Sequence, residues 1–335
     1  MIPESLHHIP LSTFSPNAVD LGQRLLAHGY KACLVGGGIR DLLMGRPSSD
    51  YDVVTDAPIE AQRALLGDML ELHTVAAGRT FGFVHYPSEV VDLATFQNIP
   101  AAFYGLPNIP DFDPKELTST QMLNDSFERD LTINSLYYDM ATGDIVDYHD
   151  GIYDLREGIL DTMADPRICL QSDTNIALRA LRFKAKYGFD FSEALEAVMQ
   201  ERGAEFLASL DRDTLAFQLP KFFSEGYAAS CFQVLLDYGA LPVLFPAVDN
   251  AWETEAYQQA VMRVLLSIDN RHDDLEGNDA AVMSFAAILA YAIQGSEVDA
   301  ALDAQAIRYA FSDVEREAVR RHMIALLEAD LPAAA

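Results

Sequence analysis

Two aspartates separated by a single tyrosine, Asp50 and Asp52, are the pair in this chain best placed to do metal-assisted chemistry. In a strand, residues two apart project from one face, so both carboxylates aim at one region about 7 Å along the chain. Like charges held together are costly unless a cation neutralises them, and Mg²⁺, a hard ion that also binds phosphate oxygens, suits such a pair. Just upstream runs LeuValGlyGlyGlyIleArgAspLeuLeuMetGly (34–45). Its glycines, Gly36 and Gly37 among them, let the backbone approach a triphosphate, and the helix start beyond them offers N–H groups to anionic oxygen. Arg40 adds a fixed positive charge. A glycine turn alone is usually a tight strand-to-helix connection, and a lone DxD is commonly a solvated strand-edge pair. In this order and proximity they point to phosphoryl transfer, with two ions activating the attacking hydroxyl and screening the leaving pyrophosphate.

The elements that must hold these residues follow from local patterning. Residues 16–29 place Ala18, Leu21 and Leu25 on one helical face and end at Gly29, with Gly22 as an interior weakness. Lys31–Val35 reads as a strand, Gly36–Gly38 as a turn and Arg40–Met44 as a helical turn. Asp50–Thr55 is a strand with Tyr51 and Val53 opposite the carboxylates. Ala57–Leu66 reads as a helix, and Phe81–Tyr86 and Val90–Phe96 as paired strands. Residues 98–127, rich in Pro, Asn, Asp and Ser, read as a long loop beside a site. A helical turn and a hairpin, Leu136–Asp147, follow Asp130, and from Thr174 onward the pattern is helical almost throughout.

Composition sets the outer bounds. At 335 residues, half of them hydrophobic, the chain exceeds the length served by a single core, so two or three subdomains are expected. Its three cysteines form no CxxC pair, which implies buried thiols in a reducing cytoplasm. Neither a leader pattern nor an apolar run long enough to span a bilayer is seen, so a cytoplasmic, soluble protein without a membrane partner is expected. Against a polyanionic partner stands a formal net charge of −28, from 23 Lys+Arg and 51 Asp+Glu. A nucleic-acid ligand would then need a local basic groove within an acidic surface.

The 34–45 stretch followed by AspTyrAsp resembles the signature of class II nucleotidyltransferases, the bacterial poly(A) polymerases and CCA-adding tRNA nucleotidyltransferases. The resemblance continues through ValValAspLeuAlaThrPhe (90–96), GluArgAspLeuThrIleAsnSerLeuTyrTyr (128–138), AspTyrHisAspGlyIleTyrAspLeu (147–155) and LeuArgAlaLeuArgPheLysAlaLysTyrGlyPhe (178–189). IleProGluSer at the start and TyrGlyAlaLeuProValLeuPhePro (238–246) are similar to the poly(A) polymerase branch. It implies an α+β architecture: a polymerase-β-like head with a mixed sheet (14–150), then an all-α neck (151–225) and body (226–335). It further implies Asp50, Asp52 and Asp130 as catalytic acids and Asp50 and Asp52, with Asp92 as third carboxylate, as metal ligands. Gly36, Gly37, Arg40, Arg129, Asp173, Arg179 and Arg182 would bind nucleotide. Arg179 and Arg182, three apart on one helix, face the same way.

The chain also departs from that pattern. The neck's Glu-Asp-x-x-Arg is SerAspThrAsnIle (172–176) here, so the base-reading arginine is Ile176, an aliphatic group in place of a planar donor. Glu128 and Gln97 stand where arginines are usual, and Thr214, Phe217 and Gln218 where the neck supplies an Arg and acids. The implied activity is template-independent addition of AMP to RNA 3′ ends with Mg²⁺ as cofactor and ATP or another NTP, plus an mRNA, small RNA or tRNA 3′ end, as partners. CCA addition and a decayed paralogue that only binds RNA or nucleotide are the alternatives. An HD-type phosphohydrolase is set aside, because His272-Asp273 lacks companion ligands.

Overall fold

Ser15 opens the first long helix by accepting hydrogen bonds from the Asn17 and Ala18 amides, with Pro16 at the first helical position. This helix, α1 (Pro16–Ala27), buries Ala18, Leu21 and Leu25, the face that periodicity predicts. Gly22 is buried with them because a methyl there would land on the Met140 thioether, so the interior glycine permits close packing. The computed structural model describes residues 1–48, 51–74, 80–98, 103, 121–248, 250–293, 298–306 and 308–329. They fall into two units, Met1–Ile168 and Cys169–Ala335.

The first unit is built on a seven-stranded mixed sheet. Its strands are β1 (Ala32–Val35), β2 (Asp52–Thr55), β3 (Leu70–Thr74), β4 (Thr80–His85), β5 (Val90–Thr95), β6 (Leu136–Asp139) and β7 (Ile145–Asp147). They lie in the order β3-β4-β5-β2-β1-β6-β7. Only β2 and β5 run parallel, with Val53 opposite Leu93; the other neighbours are antiparallel. On one face Leu34, Val53, Val84, Val91, Leu93, Leu136 and Tyr138 pack with α1. On the other, Cys33, Val35, Val54, Tyr137 and Val146 form a smaller cluster with Met122. The period-2 alternation therefore sends β1, β2, β6 and β7 into two cores at once.

Three local expectations change. The glycine stretch is less turn than helix: α2 runs Gly37–Leu43, and Gly36 alone is its N-cap. β3 was not anticipated, because its sequence LELHT is an edge strand with little buried surface to set a pattern. The proposed 98–127 loop lies largely outside the described residues, and its described end contains a helix, α3 (Gln121–Ser126), in which Met122, Asn124, Asp125 and Ser126 are buried. The single turn after Asp130 is a 3₁₀ turn, Thr132–Asn134.

The second unit is helical. It includes α4 (Asn175–Tyr187), α5 (Glu193–Ser209), α6 (Arg212–Gln218), α7 (Ala228–Asp237), α8 (Glu255–Asp269) and α9 (Asp279–Ala290). Phe285 sits at the centre of an edge-to-face aromatic cluster with Phe223, Phe245 and Tyr309, at centroid distances of 5.6, 5.5 and 5.2 Å. All three cysteines are buried thiols.

Candidate active site

β1 pairs with β2 so that Val35, the last residue before the glycines, lies opposite Asp52. The chain must then turn away from the sheet directly over that carboxylate. Gly36 does so at φ +84°, ψ −142°, a conformation essentially restricted to glycine. A Cβ at Gly36 would sit 3.7 Å from Asp52 Oδ2, so the bare backbone is what faces the carboxylate.

Tyr51 and Val53 point into the larger core, which puts Asp52 on the face of Val54 and Val35. On β5, Val91 and Leu93 occupy that larger core too, so Asp92 emerges on the same face as Asp52. The parallel register, Val53 opposite Leu93, makes Asp52 and Asp92 neighbours across the two strands. Both line one cavity of about 170 Å³ with Val35, Phe81, Gly82, Phe83, Leu93, Ala94 and Arg129. Asp50 lies outside the described residues. Among the described residues no group of three His, Cys, Asp or Glu is arranged to hold a metal ion. The donor chemistry nevertheless fits a hard divalent cation, since Asp52 and Asp92 are carboxylates presented side by side.

The glycine helix is also joined to a buried polar chain that sequence reasoning missed. The Arg40 guanidinium, 5% exposed, donates to Asn134 Oδ1 and lies 2.9 Å from Asp41 Oδ1. Asn134 Nδ2 in turn donates to Asp130 Oδ1 at 2.9 Å, and the same oxygen accepts from the Leu131 amide at 2.8 Å. Asn134 thus ties the glycine helix to Asp130. Its signal was present, since it lies four residues after Asp130 and the intervening residues form one tight turn.

Arg129 is braced rather than mobile. Its Nη2 donates to Asp125 Oδ2 at 2.6 Å, and Tyr137 Oη donates to the same oxygen at 2.7 Å. Asp125 Oδ1 accepts the Gln97 amide at 2.8 Å. Burial opposes the charge on Arg129, but Tyr137 and Asp125 outweigh it and raise its pKa, while burial drives the Tyr137 hydroxyl well above its usual range. Arg129 is therefore a permanent cation at the cavity wall. Nearby, His149 stacks edge-on against Phe127 at 4.7 Å and places Nε2 2.7 Å from Ser126 Oγ; burial lowers its pKa to about 4, against the carboxylates of Asp147 and Asp150.

In the second unit, Asp173, Ile176, Arg179 and Arg182 succeed one another at three-residue spacing at and along the start of α4. Asp173 is exposed and its Oδ1 accepts the Asn175 amide at 2.9 Å. Ile176 is buried at 7% exposure, as is Arg182 at 9%. The Arg182 guanidinium covers the Phe183 ring at 4.7 Å and lies 3.6 Å from Glu225, whose other oxygen binds Lys186 at 2.5 Å. Burial works to raise the Glu225 pKa, but Lys186 and Arg182 hold it below the usual carboxylate range. The first unit thus carries Gly36, Gly37, Arg40, Asp52, Asp92, Arg129 and Asp130, and the second carries Asp173, Arg179 and Arg182.

Residues 32–161 match the poly A polymerase head domain. The chain is 31% identical over 308 residues to poly(A) polymerase I of Escherichia coli O6:H1, covering 87% of this chain and 63% of that protein. It is 30% identical over 236 residues to a CCA-adding enzyme of Bacillus pumilus, covering 68% of this chain and 55% of that one. The chain therefore spans less than two thirds of the length of these relatives. Among solved structures, the Thermotoga maritima CCA-adding enzyme complexed with tRNA superposes with a TM-score of 0.66 at 19% identity, over 95% of this chain and 73% of that one. A tRNA-processing enzyme in an apo form gives a TM-score of 0.71, also at 19% identity, over 96% and 80%. At that identity the likeness shows a shared fold. Among the described residues no helix is long and apolar enough to cross a membrane.

Proposed function

We propose, on the premise that this chain belongs through residues 32–161 to the poly A polymerase head family, that it is a template-independent RNA nucleotidyltransferase. It would add AMP from ATP to RNA 3′ ends with release of pyrophosphate, in the cytoplasm. The observation that carries this reading is the placement of Asp52 and Asp92 side by side on parallel strands, under the Gly36 turn and in one cavity with Arg129. In this reading residues 14–150 are the catalytic head, 151–225 the neck and 226–335 the body.

Asp50, Asp52 and Asp92 would hold Mg²⁺, which when bound supplies Lewis-acid stabilisation to the phosphoryl oxygens. The remaining work falls to the protein. The amides at the start of α2 receive phosphate oxygens, and Gly36 keeps side-chain bulk out of their path. Arg129, fixed by Asp125 and Tyr137, offers charge to an anionic oxygen without reorganising. Where it does not complete the metal site, Asp92, the exposed carboxylate of the pair, would instead take the proton of the attacking 3′-hydroxyl. Asp130, held by Asn134, would serve as a further catalytic acid. Asp173, Arg179 and Arg182 would bind the nucleotide from the neck. Ile176 removes a base-reading donor there, so selection among NTPs is expected to be looser than an arginine at that position would give.

CCA addition is the second reading, favoured by the likeness to the Bacillus pumilus enzyme. The match to poly(A) polymerase I over 308 residues rather than 236 supports AMP addition. Incubation with Mg²⁺, each labelled NTP, and either a short RNA or tRNA lacking its CCA end separates the two. Long homopolymeric tails with ATP alone support the first; completion of CCA followed by arrest supports the second. Absence of labelling that depends on Asp50 and Asp52 with every NTP would overturn both and leave a binding protein.

A further inference from the structure

The carboxylate cavity has an aromatic wall to which no role has yet been assigned. β4 pairs antiparallel with β5, and Phe83 lies opposite Asp92. Phe81, two residues earlier, projects from the same face, and both rings line the cavity of Asp52 and Asp92. Phe83 is half-buried and braced edge-on by the His73 ring at 5.0 Å, whereas Phe81 is 36% exposed. A large apolar ring left open beside two carboxylates and Arg129 contributes little to the core. It is a surface for something flat.

The sheet order indicates what. Across the site run β1, β2, β5 and β4, spanning about 14 Å at the usual strand spacing. The Gly36 turn lies at the β1 end, where the proposed reaction puts the triphosphate. In-line displacement puts the attacking and leaving oxygens on opposite sides of the reacting phosphorus. The attacking nucleoside therefore enters from the β4 end, over Phe81. We infer that Phe81, backed by Phe83, is the stacking platform for the 3′-terminal base of the acceptor RNA. Stacking on a phenyl ring tolerates any base, because every base has a π-face. This assignment takes its direction from the proposed transfer reaction.

The test is fluorescence quenching of a short oligoribonucleotide carrying 2-aminopurine at its 3′ terminus, titrated with the full chain. Wild type and Phe81→Tyr should quench the probe. Phe81→Ala should abolish quenching and weaken binding roughly 5- to 150-fold, with an unchanged thermal midpoint. Phe81→Leu, which keeps apolar bulk without a π-face, should behave as Phe81→Ala and serves if the alanine variant unfolds. Where turnover is measured, the KM for acceptor should rise while the KM for NTP stays constant. Equal quenching by wild type and both Phe81→Ala and Phe81→Leu would overturn the inference. So would quenching of 2-aminopurine riboside triphosphate but not of the oligomer, since the ring would then serve the incoming nucleotide. Because quenching needs no turnover, a stacked oligomer without incorporation would sink the transferase reading alone, and incorporation with an unchanged acceptor KM in Phe81→Ala would sink the stacking alone.

Discussion

Replacing Asn134 by leucine should loosen the first unit, because this buried amide contacts both Arg40 and Asp130. Asn134 accepts from the Arg40 guanidinium and donates to Asp130 Oδ1 at 2.9 Å. Each is a hydrogen bond to a charged partner, contributing about 1.5–3 kcal/mol. Leucine keeps most of the volume, so the cavity contribution is small, and Arg40 retains Asp41 at 2.9 Å. A loss of about 3–4 kcal/mol is expected, somewhat under the sum, since paired effects within one network are not additive. Hydrogen-exchange mass spectrometry measures it: peptides covering β6 and the preceding 3₁₀ turn should exchange roughly two to three orders of magnitude faster. Asn134→Asp supplies a second signature. It preserves an acceptor for Arg40 but sets a carboxylate against Asp130, so the variant should be least stable at neutral pH and recover as pH falls and the two groups share a proton. An exchange increase below about fivefold in Asn134→Leu, a change of roughly 1 kcal/mol, would refute the view that this amide carries the link.

His149 should make the first unit acid-sensitive. Its folded pKa of about 4 lies below the ordinary value of 6.5, so the unfolded chain binds the extra proton between these values and stability falls as pH drops from 6.5 to 4, by up to about 3 kcal/mol. Urea midpoints across that window should show the slope, and His149→Gln should flatten it. Gly36→Ala forces a side chain into φ +84° beside Asp52, at a cost of about 1–3 kcal/mol; nucleotide incorporation should fall much further than stability, and equal activity would count against the turn's role. In the second unit, Arg308 donates to the carbonyls of Leu207, Leu210, Ala208 and Val243 at 2.8, 3.1, 3.3 and 3.3 Å. Arg308→Met should therefore cost about 2–4 kcal/mol, read as a lower thermal midpoint, and a shift under one degree would contradict it.

What the sequence determined by itself is what short-range geometry encodes. The Ala18, Leu21 and Leu25 face of α1, the alternation that puts Tyr51 and Val53 opposite Asp52, the 81–96 strand pair and the hairpin after Asp130 all follow from where successive side chains project. The family resemblance draws on the same local runs, from the start of the chain through residues 238–246, and the head-domain match at 32–161 falls within them. Glu71 and His73 on the edge strand β3 left no such trace, because a strand with little to bury imposes no pattern. The resemblance alone pointed to Asp92 as a third carboxylate; no local spacing shows it beside Asp52, and the tertiary structure supplies the reason it stands there. Forty residues separate them, and their pairing depends on β5 inserting parallel to β2 after β3 and β4 have turned back along the sheet edge. It likewise decided that Asp125 and Tyr137 fix Arg129, that Asn134 joins Arg40 to Asp130, and that Phe81 opens onto the carboxylates. These contacts join segments distant in the chain, and the order in which strands settle into a sheet is set by the burial of whole faces, which no local spacing records.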